Sequence, residues 1–215
     1  MAMTGFNPSQ VSNSINQVKN AYRAYMDAMN TGIQNRFVKP MESLWAAQNA
    51  YDFFNNNYKP AIDSLYNAVE ASLSSVINVM NQEGRKWAET SGNASVFVAS
   101  NHEQIPNASN VEGIQKEISG NIFIDEAQAT STAAVLPQLG SEAEAALNQA
   151  VQAVATCGFL GGDQQASLTA SLNKIKTDAK NIVDSLVHGA ETGIKNTVDI
   201  YNAQAASASS SMTAQ

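Results

Sequence analysis

Apolar residues recur at Val11, Ile15, Val18, Tyr22, Tyr25, Met29 and Ile33, at spacings of mostly four and three, which is the stripe of an amphipathic helix. The opposite face carries Asn13, Asn16, Gln17, Lys19, Asn20, Arg23, Asp27 and Asn30 and is compatible with water. Ser9, just behind Pro8, is the expected N-cap. The stripe ends near Phe37, and Pro40, which has no N–H to give a helix and biases Lys39 away from helical geometry, is expected to turn the chain. A second stripe runs through Leu44, Tyr51, Phe54, Tyr58, Ile62, Leu65, Val69, Leu73, Val76, Met80 and Trp87. The break from Phe37 to Ala50 is short, so the two helices are expected to pack antiparallel as a hairpin with Trp45 at its tip. Asn55, Asn56, Asn57 and Pro60 interrupt the second helix. They either kink it or split it into a short and a long piece, with Pro60 in the first turn of the latter.

The second half of the chain repeats the theme. Leu168, Leu172, Ile175, Ala179, Ile182, Leu186, Ala190, Ile194, Val198 and Tyr201 mark a long helix, preceded by the turn Cys157-Gly158-Phe159-Leu160-Gly161-Gly162 with Asp163 as its expected N-cap. Before that turn, Ser141 with Glu144 three residues on matches a capping box, and Leu147, Val151 and Val154 supply a stripe. Ile114, Ile118 and the segment Asp125 to Leu136 also read as helix, interrupted near Pro137 and Gly140. The expected fold is all-α: two long antiparallel helical hairpins packed as an elongated four-helix bundle, each hairpin covering the other's exposed seam. A first hairpin over residues 1–92, a link over 93–110, a second hairpin over 111–203 and a flexible tail over 204–215 make up the expected organisation. Whether the second hairpin is a true repeat of the first is left open, because any long hairpin shows this pattern.

The link is less regular. Ser95-Val96-Phe97-Val98 is β-prone, Gly92-Asn93, Pro106 and Asn107 are turn formers, and Phe123-Ile124 forms a second short apolar run, so a two-stranded ribbon between the two runs is one arrangement. The tail from Ala203 is rich in alanine and serine without apolar periodicity, and a frayed end is expected there.

Composition and charge narrow the function. Charged residues make up 14% of the chain and the formal net charge is -7, with no run of lysine or arginine, which argues against a surface that neutralises nucleic-acid phosphates. The N-terminal MAMTGFNPSQ lacks a basic region followed by an apolar core, and no segment reaches the roughly 18 apolar residues of a membrane span. Export by the general route is therefore not expected. Catalytic chemistry finds no constellation: His102 and His188 stand apart, with no cysteine or carboxylate at metal-ligand spacing around them. Cys157 is the lone cysteine and reads as a small apolar residue at a helix end. No enzyme activity, cofactor or metal is expected.

The arrangement of helix, Trp45-bearing turn and second long helix, complete by about residue 95, resembles the WxG-type (ESAT-like) helical hairpins exported by type VII secretion systems. The resemblance covers less than half of the chain, and Trp45-Ala46-Ala47 holds alanine where that family has glycine. The family's export signal is a tyrosine followed four positions later by an acid, and Tyr66 with Glu70 fits that spacing on one helical face. Both lie mid-helix, while Tyr201 is followed at the matching position by Ala205. The plainer reading places Tyr66 beside the hairpin seam and makes Glu70 a solvated charge.

The resemblance implies a non-enzymatic effector or adaptor, cytoplasmic before export and secreted without a cleaved signal peptide, and the four amphipathic segments in one polypeptide predict a monomer or weak homodimer. Its partners would be proteins: a secretion ATPase, a partner hairpin or a toxin. Trp45, Tyr66 and Glu70 are the candidate partner-binding residues, with Trp45 either presented for docking or packed over the helix ends as a staple. The alternative is a membrane-active, pore-forming-like helical effector, for which the stripes are better explained as mutual packing.

Overall fold

The computed structural model describes the backbone of residues 7–213 and side chains through Ser209. Its fold is all-α: four long helical stretches pack against one another, and a ribbon of two short strands is the sheet among the described residues.

The first stretch opens with α1 (Pro8–Met26). Asn7 caps it, its Oδ1 accepting from the Gln10 N–H at 3.2 Å, so the cap lies two residues ahead of the expected Ser9. The proline explains the shift, because its fixed φ suits the first helical position and its missing N–H has no partner to lose there. Beyond α1 the helix widens into π-helical turns at Asp27–Gly32 and Gln34–Val38 and tightens again as α2 (Lys39–Met41). The chain does not turn at Pro40, which sits in the first turn of α2 behind a widened segment. It turns at Glu42–Leu44 instead, where three N–H groups reach back to Lys39, Pro40 and Met41 carbonyls at 3.1–3.3 Å.

After that turn come β1 (Trp45–Ala46) and α3 (Gln48–Asp52). Ala47 precedes α3 in an extended conformation (φ -164°, ψ 163°) that any residue adopts, so this turn does not call for glycine. A π-helical segment, Phe53–Tyr58, leads into α4 (Lys59–Thr90), and Pro60 lies in the first turn of α4. At Asn55–Asn57 and Pro60 the α-helix is divided into short α3 and long α4, but by a π-helical segment through which the backbone stays helical and not by a break.

Phe123–Ile124 does form a strand, β2, but its partner is β1, with Trp45 opposite Ile124 and Ala46 opposite Phe123 in antiparallel register. The other run contains a 3-10 turn at Ala94–Val96, and Phe97 turns inward over Gly84 of α4. Ile114 and Ile118 are not helical. Ile118 and Asn121 are bridged by two 2.9 Å bonds around Ser119 (φ 53°) and Gly120 (φ 76°), left-handed residues that a right-handed helix cannot continue through.

α5 (Glu126–Ala133) is capped by Asp125, and α6 (Val135–Ala155) follows after Ala134. The expected break near Pro137 and Gly140 falls earlier, at Ala134, and the capping box at Ser141 is absent, because Pro137 lies in the first turn of α6, where its N–H is not needed, and the helix continues through Ser141. α7 (Gly162–Thr213) starts one residue ahead of the expected cap; Asp163 is its second residue. The Gly161 N–H donates to Gln164 Oε1 at 3.1 Å, the reciprocal half of a capping box. α7 then runs on through the alanine- and serine-rich tail to Thr213, in keeping with alanine's helix preference.

Pairings fix the direction of the stretches. Tyr22 meets Glu70 and Phe37 meets Phe54, and likewise Val154 meets Gln165 and Asn148 meets Lys176, so numbers fall on one member as they rise on the other. Both pairs are antiparallel. The chain forms two compact units, each drawing on both halves of the sequence. One comprises residues up to Met29, Ser64–Asn107 and Gly140–Lys180; its core includes Ile15, Val18, Tyr22, Val69, Leu73, Met80, Leu147, Val154 and Leu172. The other comprises Asn30–Asp63, Ala108–Leu139 and residues from Asn181, with Ile33, Phe37, Trp45, Phe54, Tyr58, Leu136, Leu186 and Ile194 buried.

Candidate interaction surface

Trp45 is fully buried. The β1–β2 pairing holds its backbone, and an aromatic cluster surrounds its ring, with Phe53 stacked at 6.2 Å and Phe54 edge-on at 6.2 Å. The floor of the slot is a glycine stripe on α7. A Cβ on Gly193 would lie 2.6 Å from the indole Cη2, and one on Gly189 would lie 2.9 Å from Phe53 Cε2, so both rings rest on bare helix backbone. Thr197, one turn further on, completes the slot: its hydroxyl accepts from the indole Nε1–H at 3.0 Å and donates to the Gly193 carbonyl at 2.9 Å. Every polar atom of this contact is thereby paired, as burial requires. Gly189, Gly193 and Thr197 were not singled out from sequence, although their spacing of four along one helix is the signal that places them on one face.

A groove of about 420 Å³ adjoins the slot, lined by Ala47, Asn49, Asn121, Ile122, Ile200 and Tyr201 among others. Its large apolar members are open, with Ile122 53%, Ile200 56% and Tyr201 40% exposed, while Ala47 is buried. Among the described residues no charged side chain lines it. Its size falls in the range of ligand and peptide pockets, and a local cluster of large exposed apolar side chains is the usual mark of an interaction site. Lys116 Nζ sits 4.8 Å from the centre of the Tyr51 ring, a cation–π contact.

Tyr66 and Glu70 lie elsewhere, in the unit that holds α1, and both face the link rather than solvent. The Tyr66 hydroxyl donates to the Ile105 carbonyl. Glu70 accepts from the Tyr22 hydroxyl on Oε2 and from His102 Nε2 at 2.8 Å on Oε1, with Ser74 Oγ 3.4 Å away. A carboxylate can only accept, so Nε2 carries the proton in that bond. Ser74, His102 and Glu70 are thus drawn together from positions the sequence kept apart, yet they do not form a nucleophile relay. Ser74 and Glu70 both address the same ring nitrogen, at 3.2 and 2.8 Å, whereas a relay uses the two nitrogens separately.

His188 lines a shallow pocket with Asp52, Asn57 and Thr192. Among the described residues no group of three or more histidine, cysteine or acidic side chains could hold a metal ion. Cys157 is buried beside Gly158 (φ 74°), and the Trp87 indole donates to the Phe159 carbonyl at 2.9 Å, so the second tryptophan ties the second hairpin's turn. No described helix is long and apolar enough to cross a membrane. Comparison with protein-family models, with curated proteins and with solved structures finds no match.

Proposed function

We propose that this chain is a non-enzymatic secreted effector or adaptor of a type VII (ESX-like) secretion system, acting through helix–helix contacts with a protein partner. The observation that carries the reading is the uncharged, apolar groove at the hairpin turn, where Ile122, Ile200 and Tyr201 stand open beside the Trp45 slot. The partner engages these exposed side chains, and Trp45 acts from beneath by fixing β1 and α7 in place. This division of labour assigns Trp45 to the support of the surface and Ile200 and Tyr201 to the contact itself.

The experiment is export from the source cell with and without its secretion ATPase. The chain is expected in the medium only when the ATPase is present, and undiminished export after its deletion would overturn the reading. A second arm replaces Ile200 and Tyr201 by glutamate. Both side chains are exposed, so the helix should remain folded by circular dichroism while export or partner capture falls at least tenfold.

A further inference from the structure

Residues 97–105 cross the face of α4 as an extended strap, anchored by residues of α4 and α1. Phe97 (φ -128°, ψ 120°) seats its ring over Gly84, where a Cβ would come within 2.6 Å of it. Asn81, itself buried, clasps the main chain of Ser100 at both ends: Nδ2 donates to the carbonyl at 3.2 Å and Oδ1 accepts from the N–H at 3.1 Å. His102 donates to Glu70 and stands edge-on to the Tyr22 ring at 4.9 Å, and the Ile105 carbonyl accepts from Tyr66. From α1, Lys19 Nζ reaches Ser100 Oγ at 2.7 Å and Arg23 pairs with Glu103 at 3.2 Å.

The two repeats match. Gly84 back to Tyr66 spans about 27 Å of helix at its 1.5 Å rise, and Phe97 to Ile105 spans about 27 Å at the rise of an extended chain. The strap therefore lies fully extended and antiparallel to α4, held through its main chain at Ser100 and Ile105 and through the Phe97 and His102 side chains.

We propose that this face of α4 and α1 is a peptide-reading cleft, occupied in cis by the strap and able to accept an extended segment of a partner protein. The fitting segment carries an aromatic side chain, a main-chain N–H and C=O for Asn81 three residues on, a hydrogen-bond-donating side chain for the Glu70 carboxylate two residues after that, and a carbonyl for Tyr66 a further three on. Sequence-tolerant main-chain contacts with one aromatic and one polar pocket are the general means by which extended peptides are held. The strap is built to leave. Between Gly92 and Asn107 only Phe97 is fully buried, the strap has no regular secondary structure, and Gly92 (φ 74°) gives it a left-handed hinge in open space. Segments with so little buried apolar area open locally, well below the free energy of global unfolding.

Two measurements test this on the full-length chain. A labelled peptide of residues 95–107 is titrated into wild type, into Phe97→Ala/His102→Ala, and into that variant with Asn81→Ala added. Emptying the strap's two side-chain anchors should tighten peptide binding at least tenfold over wild type, and Asn81→Ala should remove the gain. Absence of binding to the folded double variant would overturn the proposal. In wild type, which needs no variant to fold, the Ser100 amide should exchange with deuterium at least tenfold faster than the slowest α4 amides. Equal rates would overturn it as well. A concentration-dependent dimer of wild type that Asn81→Ala abolishes would assign the cleft to a second copy's strap and count against a foreign partner.

Discussion

Trp45 owes its burial to atoms that are missing elsewhere, since the ring occupies the volume that side chains at Gly189 and Gly193 would fill. Gly193→Ala is expected to destabilise by about 1–3 kcal/mol, because the new methyl meets a ring that is itself enclosed, and this outweighs the roughly 1 kcal/mol that alanine gains over glycine in a helix. Thr197→Val keeps the shape but orphans the indole N–H and should cost about 1–3 kcal/mol; both are read from urea midpoints. Two other buried aromatics carry the opposite fault. The hydroxyls of Tyr25 and Tyr58 are buried with no hydrogen-bond partner among the described residues. Tyr25→Phe and Tyr58→Phe should therefore each be neutral or raise stability, by up to about 1 kcal/mol. Burial pushes both phenols above their ordinary range, and for Tyr58 the charge of Asp63 adds to it. The unfolded phenols ionise near pH 10 while the folded ones stay neutral, so stability is complete below that pH and declines as the pH rises beyond it. Chemical denaturation of wild type between pH 9 and 11 should show this loss, and the double phenylalanine variant should show less of it.

At the scale of elements, prolines and caps decide where helices begin, and their local logic separates what the sequence makes legible from what it does not. The stripes of α1, α4 and α7 are readable because each buries one face, and the division ahead of Pro60 follows from proline's place in a first turn. Pro40 and Pro137 resist the same reading. Each also lies in a first turn, but the helix before Pro40 widens into a π-helical segment, and the break before Pro137 falls at Ala134, a residue with no turn signature. The strap is illegible for a different reason. Its order comes from side chains on α1 and α4 such as Asn81 and Glu70, which look like solvated polar positions until the link lies across them. The candidate site divides in the same way: Trp45 stands out as a lone large aromatic in a turn, whereas its glycine floor and the open Ile200 and Tyr201 lie in a helix whose periodicity continues past them. Caps are the most direct test at this scale. Asp125 Oδ1 accepts from the Gln128 N–H at 3.0 Å, and Asp125→Ala should cost about 1 kcal/mol. The loss should appear as faster hydrogen exchange confined to the first turn of α5, with α6 unaffected.

For the whole molecule, the consequence is that the first hairpin is not self-sufficient around its most conspicuous residue. The acceptor for the Trp45 indole lies 152 residues away on α7, and the strand paired with β1 lies beyond the link. A fragment of residues 1–92 lacks the glycine floor, Thr197 and β2, and exposes an aromatic cluster that includes Phe37, Phe53 and Phe54. In a Trp87→Phe background, which leaves Trp45 as the sole tryptophan, emission from the full chain should be blue-shifted and shielded from iodide. The same residue in fragment 1–92 should emit further to the red and be quenched, and adding a fragment of residues 93–215 should restore shielding. A fragment 1–92 that protects Trp45 alone would show that the second half is dispensable to the slot. The outcome also bears on function, because a partner that reads the indole directly would first have to displace α7 and leave the N–H without its acceptor, at a cost of about 1–3 kcal/mol for that group alone. A partner that reads Ile200 and Tyr201 incurs no such cost, which is why the contact is placed on the open rim of the groove.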